Sequence, residues 1–591
     1  MALLPHGLGR RFKPGLRGDC SPGPGDQATV PAAEAVASEP RLVIMSQARE
    51  EPMSKTTVLA VAALSAITLA TGCRQPKEQA PPPSPLVFNV RDFGATGIKE
   101  DLAQEAIQKA VDACAAAGGG TVFIPPGQYT SGTIHLRSRV RLFVEAGATV
   151  YSLHDKSRFD KDALLYGEDL TDVTIEGRGV FDGGGAYDRR LKGDHEDDFI
   201  RPNQVEMEKL GLPLMRSFPK PDRTGKMVLL VRCTDVRIAG VSFVDSPSWT
   251  MHPVQCERLV IDGVAIRTSL ADGVWADGID PDGCKDVRIA NCTIETGDDA
   301  LVFYSMDWFG PARPCENITV TNCRLSSASS AIKFCDGNIA GIRSVTIDNC
   351  VITKSNRGIA FMTFDGGAVE NVVLSNLIIE TVRHEWFWWG DGEPFHFNIK
   401  KRSEVHAAWP PEKDRPAGAI RNVKVQNVIA RGYGSSICNG HPDSWLDDVS
   451  FENVKLTVAH DPGAAYDKAV HGLVFKQARN LRLEDVEIVW EVPAAEKWQS
   501  ALALDEVQDL VLDGVTAVQA PGTESAPAVL MNQVDDAVIR NCRAAEGTGT
   551  FLTLTGEGTK NILLERNDFR KARLPYSFSV VAGPVKQKLG Y

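Results

Sequence analysis

Three carboxylates are brought near one another by two short runs of the chain. Asp277 lies in W-A-D-G-I-D-P-D-G-C, which starts at Trp275, and the adjacent pair Asp298 and Asp299 lies in T-G-D-D-A, which starts at Thr296. Neighbouring carboxylates repel, so at least one is held protonated near neutral pH, the state required of a group that gives a proton to a leaving oxygen. One such acid beside an ionised carboxylate that holds a water is the equipment of glycosidic-bond hydrolysis. The same residues also fit a calcium site or turn-forming Asp-Gly pairs, and both readings stay open at this point. Asp280 and Asp282 read as turn residues beside the site.

Candidate binding residues surround these carboxylates in sequence. Trp249, Trp275 and Trp308, with the cluster Trp386, Trp388 and Trp389, offer flat apolar faces for sugar rings or, equally, packing for loops. His252 is a candidate substrate contact, although a lone histidine more often packs or hydrogen-bonds. Lys333 and Arg357 are nearby cations that either face a substrate charge or, for Lys333, point to solvent.

Such residues need a frame, and a repeat supplies it. A polar residue followed by V-x-I/L-x-N/D/G-C/V returns along the chain as DVRIAGV from Asp235, DVRIANC from Asp286, NITVTNC from Asn317, SVTIDNC from Ser344 and NVVLSNL from Asn371. Further copies follow as NVKVQNV from Asn422, DVSFENV from Asp448, NLRLEDV from Asn480 and DLVLDGV from Asp509. Each alternates apolar and polar residues, the period of a strand with one buried face. Aligned on the first apolar residue, the copies start at 236, 259, 287, 318, 345, 372, 423, 449, 481 and 510. The gaps run from 23 to 32 residues, except for one of 51 that reads as about two coils.

Strands at this spacing, without intervening helices, are the mark of a solenoid, so the expected fold is all-β, a right-handed parallel β-helix. Stacked coils place equivalent residues in columns about 4.8 Å apart. Cys292, Cys323 and Cys350 form one expected internal column, and Asn291, Asn322, Asn349 and Asn376 another. The column argument also sets Asp277 and Asp298, 21 residues apart, on neighbouring rungs.

The apolar end of the solenoid needs a cover. Ile107, Ala110, Val111 and Cys114 fall on one face of a short N-terminal capping helix within Leu102–Ala116, which Gly118-Gly119-Gly120 stops. The stretch TVFIPPGQY from Thr121 reads as a first strand and turn. Residues 87–591 are thus expected to be a single domain.

The segment before it reads differently. Lys55 precedes an apolar run from Val58 to Ala70 that has the length of a signal-peptide core and is too short to span a bilayer. Ala70-Thr71-Gly72-Cys73 resembles a bacterial lipobox, so residues 53–73 are expected to be a lipoprotein signal peptide, with Cys73 as the lipid-bearing membrane anchor of an exported cell-envelope protein. The Pro-rich residues 74–86 form a tether, and residues 1–52 read as an upstream artefact of the start site.

Net charge is −12, which argues against a nucleic-acid partner because no overall basic field attracts phosphates. The 13 cysteines form no CxxC pair and no zinc-ligand spacing, so no metal site is expected.

F-N-V-R-D-F-G-A-T-G from Phe88, V-T-I-E-G-R-G-V-F-D-G-G-G from Val173, S-P-S-W-T-M-H-P from Ser246, the A-D-G-I-D segment and T-G-D-D resemble glycoside hydrolase family 28, the polygalacturonases and their relatives. That resemblance covers residues 87 to about 400 with motifs and continues through repeats only. It implies a right-handed parallel β-helix and inverting hydrolysis of a polysaccharide or oligosaccharide without a cofactor, and the chain is expected to be a monomer. Asp298 matches the general acid, and Asp277 and Asp299 match the pair that activates water. Ala276 and Trp275 depart from the family's N-T-D run. Its G-H-G segment falls at Ser329-Ser330-Ala331 and its R-I-K segment at Ala360-Phe361-Met362, so a histidine and two cations implied to hold a galacturonate are absent. A β-helix polysaccharide lyase and a non-catalytic glycan-binding surface protein are the competing readings.

Overall fold

The computed structural model describes residues 86–188, 225–384, 390–405, 409–461, 469–579 and 586–588. The signal-like run, Cys73, most of the tether and the Trp386, Trp388 and Trp389 cluster lie outside the described residues.

Strand after strand pairs in parallel with the equivalent strand of the next coil, from Val87–Asn89 to Lys586–Lys588. The fold is the right-handed parallel β-helix that the repeat predicts. Val236 lies beside Leu259, Leu259 beside Val287 and Val287 beside Ile318, so the apolar positions of the motif form continuous buried columns.

The polar residues flanking each short strand make its corners. Asp286 and Asn291 have φ of 57° and 59°, Asn317 and Asn322 58° and 56°, and Asn371 and Asn376 57° and 55°. Asn and Asp enter this left-handed region more readily than other side chains because they hydrogen-bond locally. Glycine takes the same corner at Gly240 and Gly263, with φ of 70° and 63°.

The two expected columns part company here. Cys292, Cys323 and Cys350 are buried, but the asparagines stand on the outside of the corner, exposed. Asn322 Nδ2 donates to Asn291 Oδ1 (3.3 Å) and Asn349 Nδ2 to Asn322 Oδ1 (2.6 Å), whereas Asn376 turns to Asp348 Oδ1 (2.7 Å). The asparagine column is therefore an external ladder, because a residue at a corner points away from the core.

The gap of 51 residues is one coil and not two. Val372 pairs directly with Val423, and Asn422 Nδ2 donates to Asn371 Oδ1 (2.7 Å). The extra length lies on either side of the strand Glu393–Ile399, and from it Gly390, Val405, Trp409, Lys413 and Arg415 line the cleft.

Gln104–Ala116 is helical and buries Ile107, Ala110, Val111 and Cys114 against the first coils. Thr121 is not in the first strand: Val87–Asn89 precedes it and pairs with Thr121–Phe123. At Gly119, a β-carbon would lie 2.6 Å from the Arg139 carbonyl oxygen, so the stop after the helix requires glycine.

One ribbon of the solenoid carries the functional groups. It runs through Lys226–Val231, Met251–Val254, a bridge at Ile279, then Leu301–Ser305, Ser330–Asn338, Arg357–Thr363 and Glu393–Ile399. Phe303, Phe334, Phe361 and Phe397 point inward and stack with ring centroids 5.2, 4.2 and 4.2 Å apart. Alternation sends their neighbours outward, so Val302, Lys333, Ala360 and His396 form one outer column.

Candidate active site

The outer side of this ribbon floors a cleft of about 890 Å³ lined by Asp277, Asp298, Asp299, Lys333 and Arg357, with Trp275 and Trp308 on its walls. These residues and Trp249, all singled out in the sequence, are thus brought together. His252 is not. It is 1% exposed beneath Trp249, Trp308 and Phe309, and both ring nitrogens lack a hydrogen-bond partner, so it is a packing residue and not a sugar contact. Burial pulls its pKa down, which keeps the ring neutral.

Asp277 and the Asp298–Asp299 pair sit on adjacent rungs, since Ile279 bridges Leu301 and the Gly278 N–H donates to the Asp299 carbonyl (2.9 Å). The T-G-D-D turn is tight. A β-carbon on Gly297 would fall 2.3 Å from the Ser269 carbonyl oxygen and 2.4 Å from Gly273 Cα. The hydroxyls of Thr296 and Ser327 both donate to the Asp298 carbonyl, at 2.7 and 2.6 Å. These contacts fix the backbone on which both side chains stand.

The three carboxyls have different surroundings. Asp298 accepts the Trp275 N–H on Oδ2 (3.1 Å) and the Asp299 N–H on Oδ1 (3.0 Å). Burial and then repulsion from Asp299 push its pKa up to about 7 against the opposing effect of Lys333 and these two bonds. To make its bond, Trp275 adopts φ of 65°, an uncommon conformation for so large a side chain. Asp299 is held by three donors: Ser329 Oγ (2.6 Å) and the Ser330 N–H (2.8 Å) on Oδ1, and Lys333 Nζ (2.9 Å) on Oδ2. Lys333 is buried against Asp299 and does not point to solvent.

Asp277 is pushed well above the ordinary carboxylate range by burial, then by Asp298, Asp280 and Asp299. Asp280 corrects the sequence reading, because it is no turn residue: it is fully buried behind Asp277. Neither of its carboxyl oxygens meets an N–H or O–H donor, and its own pKa is raised by burial and by Asp299. Both carboxyls are thus pushed toward the protonated, uncharged form, which lowers the cost of burying them side by side.

Sequence reasoning also missed the groups behind Arg357. Arg357 Nε donates to Glu393 Oε1 (3.0 Å), which also contacts His396 Nδ1 (2.8 Å). Burial opposes the charge on Glu393, but the His396 hydrogen bond and Arg357 outweigh it and hold the pKa at about 2. Burial, then Arg357, lowers His396 to about 4. Between Lys333 and His396 in the outer column stands Ala360, itself buried, while Met362 lines the cleft and Phe361 faces the core. On the wall, Trp249 stacks on Tyr304 (5.1 Å, 24°) and meets the half-exposed Trp308 (5.7 Å).

Fold and site together define a right-handed parallel β-helix protein with a carboxylate-floored cleft. Residues 216–385 match Glycosyl hydrolases family 28, and residues 87–183 match Rhamnogalacturonase A/epimerase, pectate lyase-like. The chain is 28% identical to a probable polygalacturonase of Vitis vinifera over 41% of this chain and 49% of that protein. It is 24% identical to an exo-poly-alpha-D-galacturonosidase of Dickeya chrysanthemi over 37% of this chain and 42% of that one. The chain thus spans about half the length of the curated relatives it matches. Two solved structures share the fold. An exopolygalacturonase from Thermotoga maritima is 23% identical, with 68% of this chain and 92% of that one covered and a TM-score of 0.52. A family 28 exopolygalacturonase from Yersinia enterocolitica is 19% identical, with 72% and 78% covered and a TM-score of 0.55.

Proposed function

We propose that the chain is a glycoside hydrolase that cuts O-glycosidic bonds of a pectin-type or related glycan, with inversion at the anomeric carbon. One observation carries this reading. Asp298, with a pKa pushed up to about 7, keeps a proton to give, while the adjacent Asp299 is held by three donors in the form that accepts one. Asp298 protonates the glycosidic oxygen as the bond to the anomeric carbon breaks. A water attacks that carbon from the opposite face and gives its proton to Asp299. Asp277, whose pKa burial and the neighbouring carboxylates raise, orients the water by hydrogen bonding. Lys333 and Ser329 position Asp299, and Trp249 and Trp308 offer faces for the ring. The match to glycosyl hydrolases family 28 supports the same chemistry.

The finer expectations about location join this reading. The chain is exported and held at the bacterial envelope by lipid on Cys73, with residues 87–591 acting as one monomeric domain.

The direct test is to incubate the protein with plant, algal and host polysaccharides and count new reducing ends. Sugar release that disappears in Asp298→Asn and Asp299→Asn supports hydrolysis. Products with an unsaturated ring point to a lyase, and tight binding without any release points to a glycan-binding protein.

A further inference from the structure

His252 and His396 both lie by the site, and they are built in opposite ways. Both ring nitrogens of His252 are sealed in without a partner. His396 lines the cleft, and its two nitrogens have different surroundings. Nδ1 lies 2.8 Å from Glu393 Oε1, the oxygen that also accepts Arg357 Nε at 3.0 Å. Glu393 Oε2 accepts the Asp391 N–H. A carboxylate paired with a buried guanidinium and holding donors on both oxygens is ionised and only accepts. The proton of the short contact therefore belongs to His396 Nδ1.

Burial and Arg357 keep the His396 ring neutral. A neutral imidazole with its proton on Nδ1 carries a lone pair on Nε2. Among the described residues no donor meets Nε2, and unlike the nitrogens of His252 it is not closed off. Alternation along Glu393–Ile399 sends the ring to the outer face of the ribbon, the face that floors the cleft. The lone pair is what His396 offers to whatever fills that cleft.

Its place decides which part of the glycan it meets. Lys333, Ala360 and His396 hold the same position on three successive rungs. His396 thus stands about 10 Å from Lys333 along the solenoid, two rungs of roughly 4.8 Å each. Lys333 is the residue that holds Asp299, so the reacting carbon lies at the other end of this column. A free hydroxyl can donate to Nε2, whereas a methyl ether or an acetyl ester in the same place has no proton to give.

We infer that His396 is a specificity-determining residue: its Nε2 accepts a hydrogen bond from a free hydroxyl of the glycan, away from the bond that is cut, and Glu393 fixes the tautomer that makes this possible. This rests on the hydrolase reading and deepens it.

Proton–nitrogen NMR of the full chain carrying 15N-labelled histidine reads the tautomer directly, with His396 assigned by its loss in His396→Gln. A protonated Nδ1 and a bare Nε2 are expected, and a proton on Nε2 overturns the inference. In Glu393→Gln, whose amide donates as well as accepts, that preference should weaken; a preference left unchanged contradicts the part given to Glu393. Oligosaccharides from partial acid hydrolysis of plant, algal and host polysaccharides are then added to the Asp298→Asn protein. At least one should shift the Nε2 signal, and a set that leaves it unmoved overturns the contact. On the glycan that wild type cleaves, His396→Leu should raise KM by roughly 3- to 10-fold, the worth of one hydrogen bond, with kcat nearly unchanged. His396→Gln, which can donate to Glu393 and accept from the cleft at once, should recover most of that loss. A fall in kcat alone, or a glutamine no better than leucine, contradicts the inference. A shifted Nε2 signal without new reducing ends from any polymer refutes the hydrolase reading and leaves the contact standing, which separates the two failures.

Discussion

Asp298→Asn should trade activity for stability, and the trade should depend on pH. In the folded chain the Asp298 pKa is pushed up to about 7, whereas its ordinary value is 3.8. Between these values the folded state keeps the proton and the unfolded state has lost it, so wild-type stability falls as pH rises, by about 1.4 kcal/mol per unit. Above pH 7 both states are ionised and the loss is complete. Asparagine does not titrate. From pH 5 to pH 8 the variant should therefore gain roughly 3 kcal/mol relative to wild type, two units of slope at the value just given. Relief of Asp277, whose proton is held partly by repulsion from Asp298, acts in the same direction. The Trp275 and Asp299 N–H groups flank both side-chain oxygens, so the amide, like the protonated acid, faces one donor with another. That cost is constant and cancels in the pH difference. Urea unfolding followed by circular dichroism at pH 5, 6, 7 and 8 measures it, beside turnover, which should fall by roughly 10² to 10⁴. A difference in stability that stays constant across that range refutes the assignment of the proton to Asp298.

Other outcomes follow from the same contacts. Wild-type kcat/KM should fall as pH rises through about 7, the value to which Asp298 is pushed, because the acid is then ionised. Ser329→Ala removes a 2.6 Å hydrogen bond to Asp299 and should lower kcat/KM by about 10- to 100-fold, the worth of one bond to a charged group, with the melting temperature nearly unchanged. Phe361→Ala breaks the inner aromatic stack and should cost roughly 3–5 kcal/mol in urea unfolding. Labelling with a palmitate analogue should vanish in Cys73→Ala, and labelling that persists removes the lipid anchor.

The repeat was legible because one strand period and one corner chemistry recur in every coil. Its corner asparagines were misplaced inward, since the sequence shows that Asn291, Asn322 and Asn349 align but not that φ near 55° turns them outward. Spacing alone also cannot separate two short coils from one with long connections, which is why the stretch from Val372 to Val423 misled. Asp277, Asp298 and Asp299 stood out because they are close in sequence and lie about one coil apart. Asp280 did not, because D-P-D-G reads locally as a turn and only the neighbouring rungs bury it. Asp336, Asp365 and Arg402 come from successive coils and meet through register, as Glu393 meets Arg357 of the coil before it. His396 had a signal: in E-P-F-H-F-N-I the same alternation that turns Lys333 outward turns His396 outward.

Proton NMR of the first sugar released decides most directly whether Asp298 gives the proton in an inverting hydrolysis. On a substrate identified from the polysaccharide panel, the first product should carry the inverted anomer. The same sugar on a nitrophenol leaving group, which needs little protonation, should restore turnover to Asp298→Asn but not to Asp299→Asn. Retention of configuration, or near wild-type turnover of Asp298→Asn on the natural glycan, would contradict it.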